Sequence, residues 1–182
     1  VGFSMGGGEV ARYIGNHGED RLHSVVFASA VPPYLLKGDD NPEGPLTQAA
    51  AEEMADGLKA NRESFFDQFT RDFFSAKGKL KVTEAQRQEA ITLAHQSDQA
   101  AALGCQQAFG TTDFREDLKK VTVPTLVLHG DSDATVPFEG SGKRTHQAIA
   151  GSEVVVLEDA PHGCNVSHAD DFNLALLNFL KK

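Results

Sequence analysis

The stretch Gly2-Phe3-Ser4-Met5-Gly6 opens the chain and decides its fold. The pattern G-x-S-x-G places a serine on a tight turn between a strand and a helix, with its hydroxyl exposed. We expect a strained backbone at Ser4, and glycines at positions 2 and 6 because side chains there would collide with neighbouring elements. A helical stripe follows at once, as the motif requires, whereas the preceding strand is expected to be absent. The same five letters also suit a glycine-rich loop without function, so the rest of the chain must decide.

Hydrophobic periodicity predicts strands that alternate with helices at both ends of the chain. Apolar runs rich in small or β-branched residues predict two buried strands, within residues 23–31 and 121–130, and a third strand within residues 152–160. Helices are expected from about Gly6 to the glycines at 15 and 18, and over residues 137–150 and 168–180. This alternation implies βαβ units, a parallel sheet and right-handed crossovers.

The middle of the chain is predicted to be helical and without strands. Its helical segments are residues 47–60, 63–74, 83–95 and 98–109. One helix face carries Phe65, Phe66, Phe69 and Phe73, a stripe that favours packing between helices over a dedicated acyl pocket, although it suits both. We therefore expect an α/β core in residues 1–31 and 119–182, and a helical cap with its connecting segment in residues 32–118.

Composition excludes several classes of protein. The 182 residues are 40% hydrophobic and 24% charged, as in one globular domain. No apolar run approaches the ~20 residues that cross a bilayer. The net charge of −9 would repel nucleic-acid phosphates and anionic lipid surfaces, so neither is an expected partner. Cys105 and Cys164 are too few for a disulfide framework or a zinc cluster, which favours a reducing, cytoplasmic location.

A serine nucleophile needs a base, and the base needs an acid to orient it. The sequence supplies both in the order Ser, Asp, His that the motif predicts. Asp133 lies in the loop just past one predicted strand, and His162 lies in the loop after the last strand. Catalytic groups gather at the carboxyl ends of the strands in open parallel sheets. The 29 positions between the two (162 − 133) leave room for one helix and one strand.

Three nearby residues compete for these roles. Asp131 is a second candidate for the acid; we prefer Asp133 and expect Asp131 to hold the turn through local backbone hydrogen bonds. His129 precedes a glycine at a strand end and is interpreted as structural. Cys164 stands two positions after His162, and we interpret it as a small packing residue, not a nucleophile.

Together these residues resemble the α/β-hydrolase superfamily and, within it, the non-haem chloroperoxidase and arylesterase branch. The similar stretches cover nearly the whole chain: GFSMGGGEVARYI, VPP, TDFREDLKKVTVPTLVLHGDSDATVPFEGSGK, and APHG before the last helix. The resemblance implies that Ser4 is the nucleophile, His162 the general base and Asp133 the orienting acid, with the Met5 backbone N–H as an oxyanion donor. It also implies a cofactor-free enzyme that cleaves small esters through an acyl-enzyme, and perhydrolysis when peroxide replaces water.

In that fold the serine turn follows the fifth of eight strands, so the resemblance implies a truncated α/β-hydrolase fold with a sheet of about three strands. The loop that supplies the second oxyanion donor belongs to the absent part, and losing one such donor costs about 3 kcal/mol of transition-state stabilisation. The first strand would form an open edge, through which we expect two copies to associate as a homodimer. Two alternatives stay open: a catalytically impaired fragment that serves as an oligomerising domain, and one half of a split enzyme.

Overall fold

Six strands and nine helices make up the fold, which a computed structural model describes over residues 1–182. The strands are β1 (Gly2–Phe3), β2 (Val25–Ala28), β3 (Ser75–Ala76), β4 (Lys79–Leu80), β5 (Thr125–Gly130) and β6 (Glu153–Leu157). The helices are α1 (Met5–His17), α2 (Gln48–Ala60), α3 (Arg62–Phe74), α4 (Glu84–His95), α5 (Gln99–Thr111), α6 (Arg115–Leu118), α7 (Gly142–Ala148), α8 (Cys164–Ser167) and α9 (Ala169–Leu180). None of the helices is both long and apolar enough to span a bilayer.

Four of the strands form one parallel sheet in the order β1-β2-β5-β6. Every residue of the two central strands is buried, which explains their continuous apolar sequences, since helices cover both faces of a parallel sheet. Successive side chains point to opposite faces. Phe27 and Val127 pack in the same cluster as residues of α1, whereas Leu126 and Leu128 pack in the same cluster as residues of α9.

The structure adds one strand to the three that the sequence predicted. Gly2 and Phe3 form β1, which pairs in parallel register with Phe27 and Ala28 of β2. The expectation that no strand precedes Ser4 is therefore wrong. Two residues are too few to give a periodic pattern, so only their pairing with β2 identifies them as a strand.

The predicted helical middle also contains one short hairpin, formed by β3 and β4. Its turn residues, Lys77 and Gly78, have φ values of 51° and 75°. Positive φ at both central positions is the geometry that twists a two-residue turn to match its strands. The expectation of no strand in this segment is corrected, because each strand is again only two residues long.

Helix starts in the middle segment fall close to the predicted positions because their capping residues are visible in the sequence. The side chains of four N-cap residues accept backbone N–H bonds at the first turns of α2 to α5: Thr47, Asn61, Thr83 and Asp98. The helix predicted over residues 137–150 is instead split into a short 3₁₀ turn, Phe138–Gly140, and α7.

Candidate active site

Ser4 occupies the turn between β1 and α1, with φ of 53° and ψ of −120°. Positive φ is strained for any residue but glycine, so the predicted strain is confirmed. The turn is anchored on β2, because the Ser4 N–H donates to the Ala28 carbonyl at 2.9 Å. The Ser4 carbonyl in turn accepts the N–H groups of Gly7 and Val31. These bonds fix the backbone of the turn from which the hydroxyl projects.

The glycines around Ser4 differ in whether the fold leaves room for a side chain at their positions. A Cβ atom on Gly2 would lie 2.3 Å from the carbonyl oxygen of Gly6, so position 2 admits no side chain. A Cβ on Gly6 itself would meet no atom within 4 Å, and the predicted collision there is wrong. The close approach falls one residue later, because a Cβ on Gly7 would lie 2.3 Å from that of Ala30.

Ser4, His162 and Asp133 are joined in one chain of hydrogen bonds. His162 Nε2 lies 2.9 Å from Ser4 Oγ, and His162 Nδ1 lies 2.7 Å from Asp133 Oδ2. The three residues follow β1, β6 and β5 respectively, and the carboxyl ends of parallel strands meet at one edge of the sheet. The structure therefore brings together all three side chains that the sequence singled out.

The Asp133 carboxylate is held on both oxygens. Oδ1 accepts the backbone N–H groups of Thr135 at 3.0 Å and Val136 at 2.7 Å. Burial would raise the pKa of Asp133, but hydrogen bonds from His129 and His162 outweigh it, and the pKa lies below its usual value. Because the carboxylate is charged, it selects the His162 tautomer with a proton on Nδ1, which leaves Nε2 free to accept a proton.

The role that we expected for Asp131 in the turn belongs to Asp133. Asp131 is exposed, and its carboxylate accepts a hydrogen bond from the Ser132 hydroxyl at 2.8 Å. The local backbone bonds predicted for Asp131 are made by Asp133 instead, because the following turn directs the amides of Thr135 and Val136 towards it. One carboxylate thus closes the turn and also contacts His162.

His129 is the residue near the site that sequence reasoning undervalued. Its side chain is fully buried, and Nε2 lies 2.8 Å from the Val136 carbonyl and 3.3 Å from Asp133 Oδ2. The carbonyl can only accept, so Nε2 carries the proton. The N–H therefore donates to the Val136 carbonyl, and the Asp133 carboxylate lies beside the same nitrogen. In the sequence, only the spacing of four residues before Asp133 hinted at this contact.

Cys164 packs in the core, as predicted. It is buried among apolar residues, with Sγ 3.4 Å from the hydroxyl of Ser29. Burial raises the pKa of the Cys164 thiol. Because the thiolate is the nucleophilic form, this environment makes the side chain inert.

An apolar cavity of about 330 Å³ adjoins Ser4 and His162. The aromatic stripe of α3 forms much of its wall: Phe65, Phe66, Phe69 and Phe73. These rings also pack on one another, and Phe73 stands edge-on to His162 with ring centroids 4.7 Å apart. The sequence favoured packing between helices over an acyl pocket for this stripe. The structure corrects this preference, because the four rings both pack together and line the cavity. No Asp, Glu, Lys or Arg lines the cavity.

A second cavity of about 580 Å³ shares lining residues with the first and extends away from Ser4. The shared residues are Met54, Phe65, Phe69, Phe109 and Thr135. Its wall includes two carboxylates, Glu53 and Asp72, so polarity rises with distance from the serine.

Met5 begins α1, and its backbone N–H is the first amide of the helix. The first amides of a helix have no intrahelical acceptor. The helix N-terminus also attracts negative charge. The Met5 N–H next to Ser4 is therefore suited to stabilise an oxyanion that forms there.

The comparisons with known proteins agree with this geometry. Residues 1–169 match the family model described as alpha/beta hydrolase fold, and the chain belongs to that family. Within the family it is chloroperoxidase-like. Over its full length it is 40% identical to the non-heme chloroperoxidase CPO-A1 of Kitasatospora aureofaciens, of which it covers 67%. It is 34% identical to the bifunctional esterase/perhydrolase DCH of Acinetobacter calcoaceticus, of which it covers 66%.

The solved structures agree as well. The chain superposes along its whole length on a bromoperoxidase from Bacillus anthracis with a TM-score of 0.97, at 52% identity, and covers 66% of that protein. It therefore spans about two thirds of the length of the relatives that it matches.

Proposed function

We propose that this chain carries the catalytic side chains of a serine ester hydrolase that acts on small carboxylic esters through an acyl-enzyme. The observation that supports the proposal is the chain of hydrogen bonds from Ser4 through His162 to Asp133 at the wall of an apolar cavity. Relatives named chloroperoxidase and esterase/perhydrolase support peroxide as a second acceptor of the acyl group.

In the proposed reaction, Ser4 Oγ attacks the ester carbonyl while its proton moves to His162 Nε2. The Met5 N–H stabilises the oxyanion. The bond to the alcohol then breaks, the alcohol takes the proton from His162, and the acyl group stays on Ser4. Water, activated by His162, releases the acid and restores the hydroxyl. Hydrogen peroxide in place of water gives a peracid, which oxidises halide.

Asp133 has two functions in this proposal. Its negative charge stabilises the imidazolium that forms on His162 in each half-reaction, and its bond to Nδ1 keeps Nε2 aimed at Ser4. The low pKa of Asp133 means that the charge is present at neutral pH. The carboxylate needs no protonation at any step.

The test combines turnover with active-site labelling. We expect the chain to hydrolyse p-nitrophenyl acetate and to react with a fluorophosphonate probe at Ser4, because the probe needs an activated serine. Ser4→Ala and His162→Gln should each abolish both signals, whereas Ser64→Ala, an exposed serine of the cap, should leave them unchanged. A wild-type chain that is neither labelled nor active would contradict the proposal and favour the impaired, oligomerising fragment.

We also propose that two copies associate as a homodimer. Strand β1 pairs on one side only, and an edge strand presents unpaired N–H and C=O groups. Helix α9 adds an apolar surface, since Leu174, Leu177 and Leu180 are 60%, 50% and 49% exposed. Sedimentation velocity at micromolar concentration should give a dimer, and Leu174→Glu with Leu177→Glu should weaken it. A monomeric wild-type chain would contradict this proposal.

A cytoplasmic location is proposed on the cysteines. Both Cys105 and Cys164 are free thiols in the fold, and unpaired cysteines are typical of reducing compartments.

A further inference from the structure

Two lysines of the β3–β4 hairpin in the cap meet one carboxylate of the loop that carries His162. This carboxylate belongs to Asp159, three positions before His162 in the turn after β6. Asp159 Oδ2 accepts a hydrogen bond from Lys81 Nζ, and Oδ1 lies 3.4 Å from Lys77 Nζ. The bond from Lys81 holds the pKa of Asp159 below its usual value, so the carboxylate is charged at neutral pH.

The Lys81–Asp159 ion pair is partly withdrawn from water. The Lys81 side chain is 21% exposed and the Asp159 side chain 37%. Charges that are partly buried are screened less by salt than charges on an open surface. This pair therefore holds the hairpin to the loop more firmly than an exposed ion pair would.

The same end of the cap also contacts the loop on the other side of His162. The Gly163 N–H donates to the Phe73 carbonyl at 2.8 Å, and the Phe73 ring packs edge-on to His162. The hairpin begins directly after α3, and the Lys81 N–H donates to the Phe74 carbonyl at 2.9 Å. The position of Lys81 is thus tied to the end of α3, where the contacts with His162 are made.

The sheet holds this loop only up to Ala160. The Asp131 N–H donates to the Leu157 carbonyl at 3.0 Å, and the Ser132 N–H donates to the Ala160 carbonyl at 3.1 Å. His162 itself makes no backbone–backbone hydrogen bond. Its main chain therefore depends on the contacts that flank it, and two of these come from the cap.

We propose that Lys81 and Asp159 are positioning residues, whose ion pair fixes the end of the cap against the loop and thereby keeps His162 in place for the reaction. The inference rests on the proposed function. Neither side chain lines either of the two cavities beside the site, so both act through His162 and not on the substrate. A displacement of about 1 Å at a catalytic group can lower a rate about 10²-fold, so a contact outside the cavity can affect turnover.

The first test is kinetic and removes the charge of Lys81. Lys81→Met should lower kcat for p-nitrophenyl acetate about tenfold and leave KM within about twofold, because the cavity wall is unchanged. Lys81→Arg keeps the positive charge and should keep most of the activity. The matched control is Lys79→Met, since Lys79 is an exposed lysine of β4 that has no ion-pair partner. It should have the kcat of the wild type.

The second test removes the charge at the other end of the pair. Asp159 has a φ of 55°, and asparagine adopts this region more readily than most residues, so Asp159→Asn keeps the turn. It should lower kcat at least as much as Lys81→Met. The double variant should lose no more than Asp159→Asn alone, because the two side chains act as one pair. Losses that add in the double variant would overturn the inference.

Nuclear magnetic resonance gives a readout that does not depend on turnover. The His162 Nδ1 proton lies in the hydrogen bond to Asp133, so it gives a low-field signal that reports on the position of the ring. Lys81→Met should shift or broaden this signal, whereas Lys79→Met should leave it unchanged. A role in stability alone would lower the unfolding temperature of Lys81→Met without changing the signal, and would overturn the inference.

The two proposals fail separately. A His162 signal that changes in Lys81→Met but not in Lys79→Met, in a chain without turnover, would contradict only the proposed function. In an active chain, an unchanged signal or an unchanged kcat in Lys81→Met would contradict only the inference.

Discussion

The sheet and the cap of this molecule are stabilised in different ways. Two clusters of buried apolar side chains, with thirteen and nine members, cover the two faces of the sheet, and no residue of α2 to α5 belongs to either. Those four helices fully bury few large apolar side chains, chiefly Leu58, Phe66 and Phe74. Many of the cap's other apolar residues line the cavities instead. The apolar side chains of the sheet therefore form a closely packed core, whereas many of those in the cap line open cavities.

Hydrogen bonds and ion pairs from arginine side chains fix the positions of the cap helices relative to one another. The Arg87 side chain of α4 is 1% exposed and donates to the Asp67 carboxylate and the Thr70 hydroxyl of α3, and to Glu84. The bonds to Arg87 hold the pKa of Glu84 at about 2. In α3, Arg62 reaches the side chain of Gln99 at 2.6 Å. Directional bonds of this kind fix helix positions without filling the space between them.

The two regions meet at His162. The Gly163 N–H donates to the Phe73 carbonyl at the end of α3 at 2.8 Å, and the Phe73 ring packs against His162. A Cβ on Gly163 would lie 2.4 Å from the Phe74 ring. The cap is therefore seated directly on the loop that carries the proposed base.

The largest effect is expected on turnover, from a change at Asp133 in the loop after β5. Asp133→Asn should lower turnover of p-nitrophenyl acetate about 10⁴-fold, because an amide at this position favours the wrong His162 tautomer. The relative rates on different esters should stay the same, since the cap is unchanged. Steady-state kinetics on several esters measures both quantities. The control Asp131→Asn should have little effect, and an equal loss in both variants would contradict the assignment of Asp133.

The next largest effect is expected in the cap. Arg87→Ala should lower the free energy of unfolding by about 3 kcal/mol, because it removes a buried cation that satisfies several acceptors at once. Hydrogen exchange should show faster exchange in α3 and α4 while the amides of β2 and β5 stay protected. The control Arg71→Ala removes an exposed partner of the same Asp67 and should cost under ~1 kcal/mol. Uniformly faster exchange would show that sheet and cap unfold as one unit.

A smaller effect is expected on the free energy of unfolding when the pH is lowered. The pKa of Asp133 is lower in the fold than the unfolded value of about 3.9, so its contribution to stability is complete above that value and is lost as the pH falls through the folded pKa. Urea unfolding between about pH 5 and pH 2.5 should therefore show a steeper loss in wild type than in Asp133→Asn. His129→Phe should also flatten the curve, because it removes one of the bonds that lower this pKa. Asp131→Asn should follow the wild-type curve.

The smallest effect is expected at a helix start in the cap. Thr83 and Gln86 form a capping box at α4, with reciprocal bonds of 3.2 Å and 2.9 Å. Thr83→Ala should lower the free energy of unfolding by about 1 kcal/mol, measured by urea unfolding. Thr92→Ala, on the exposed face of the same helix, should cost less. An equal cost would mean that the capping box of α4 does not contribute to the free energy of unfolding.

The proposed catalytic residues could be found in the sequence because each lies beside a local signal. Ser4 sits in a five-residue pattern, and Asp133 and His162 each lie in the loop that follows an apolar run. Side chains that act through a distant neighbour left no such signal. His129 is such a residue, because its contact with Asp133 is visible only in the fold.

The order of strands and helices, most of the helix starts and the three residues at the strand ends could all be predicted from the sequence. These features depend on periodicity and on bonds between residues a few positions apart. Two features are visible only in the fold: Gly2 and Phe3 form a strand, and the aromatic stripe of α3 lines a cavity. Each of these depends on which surfaces meet across the fold, because pairing, cavities and burial arise from atoms far apart in the chain.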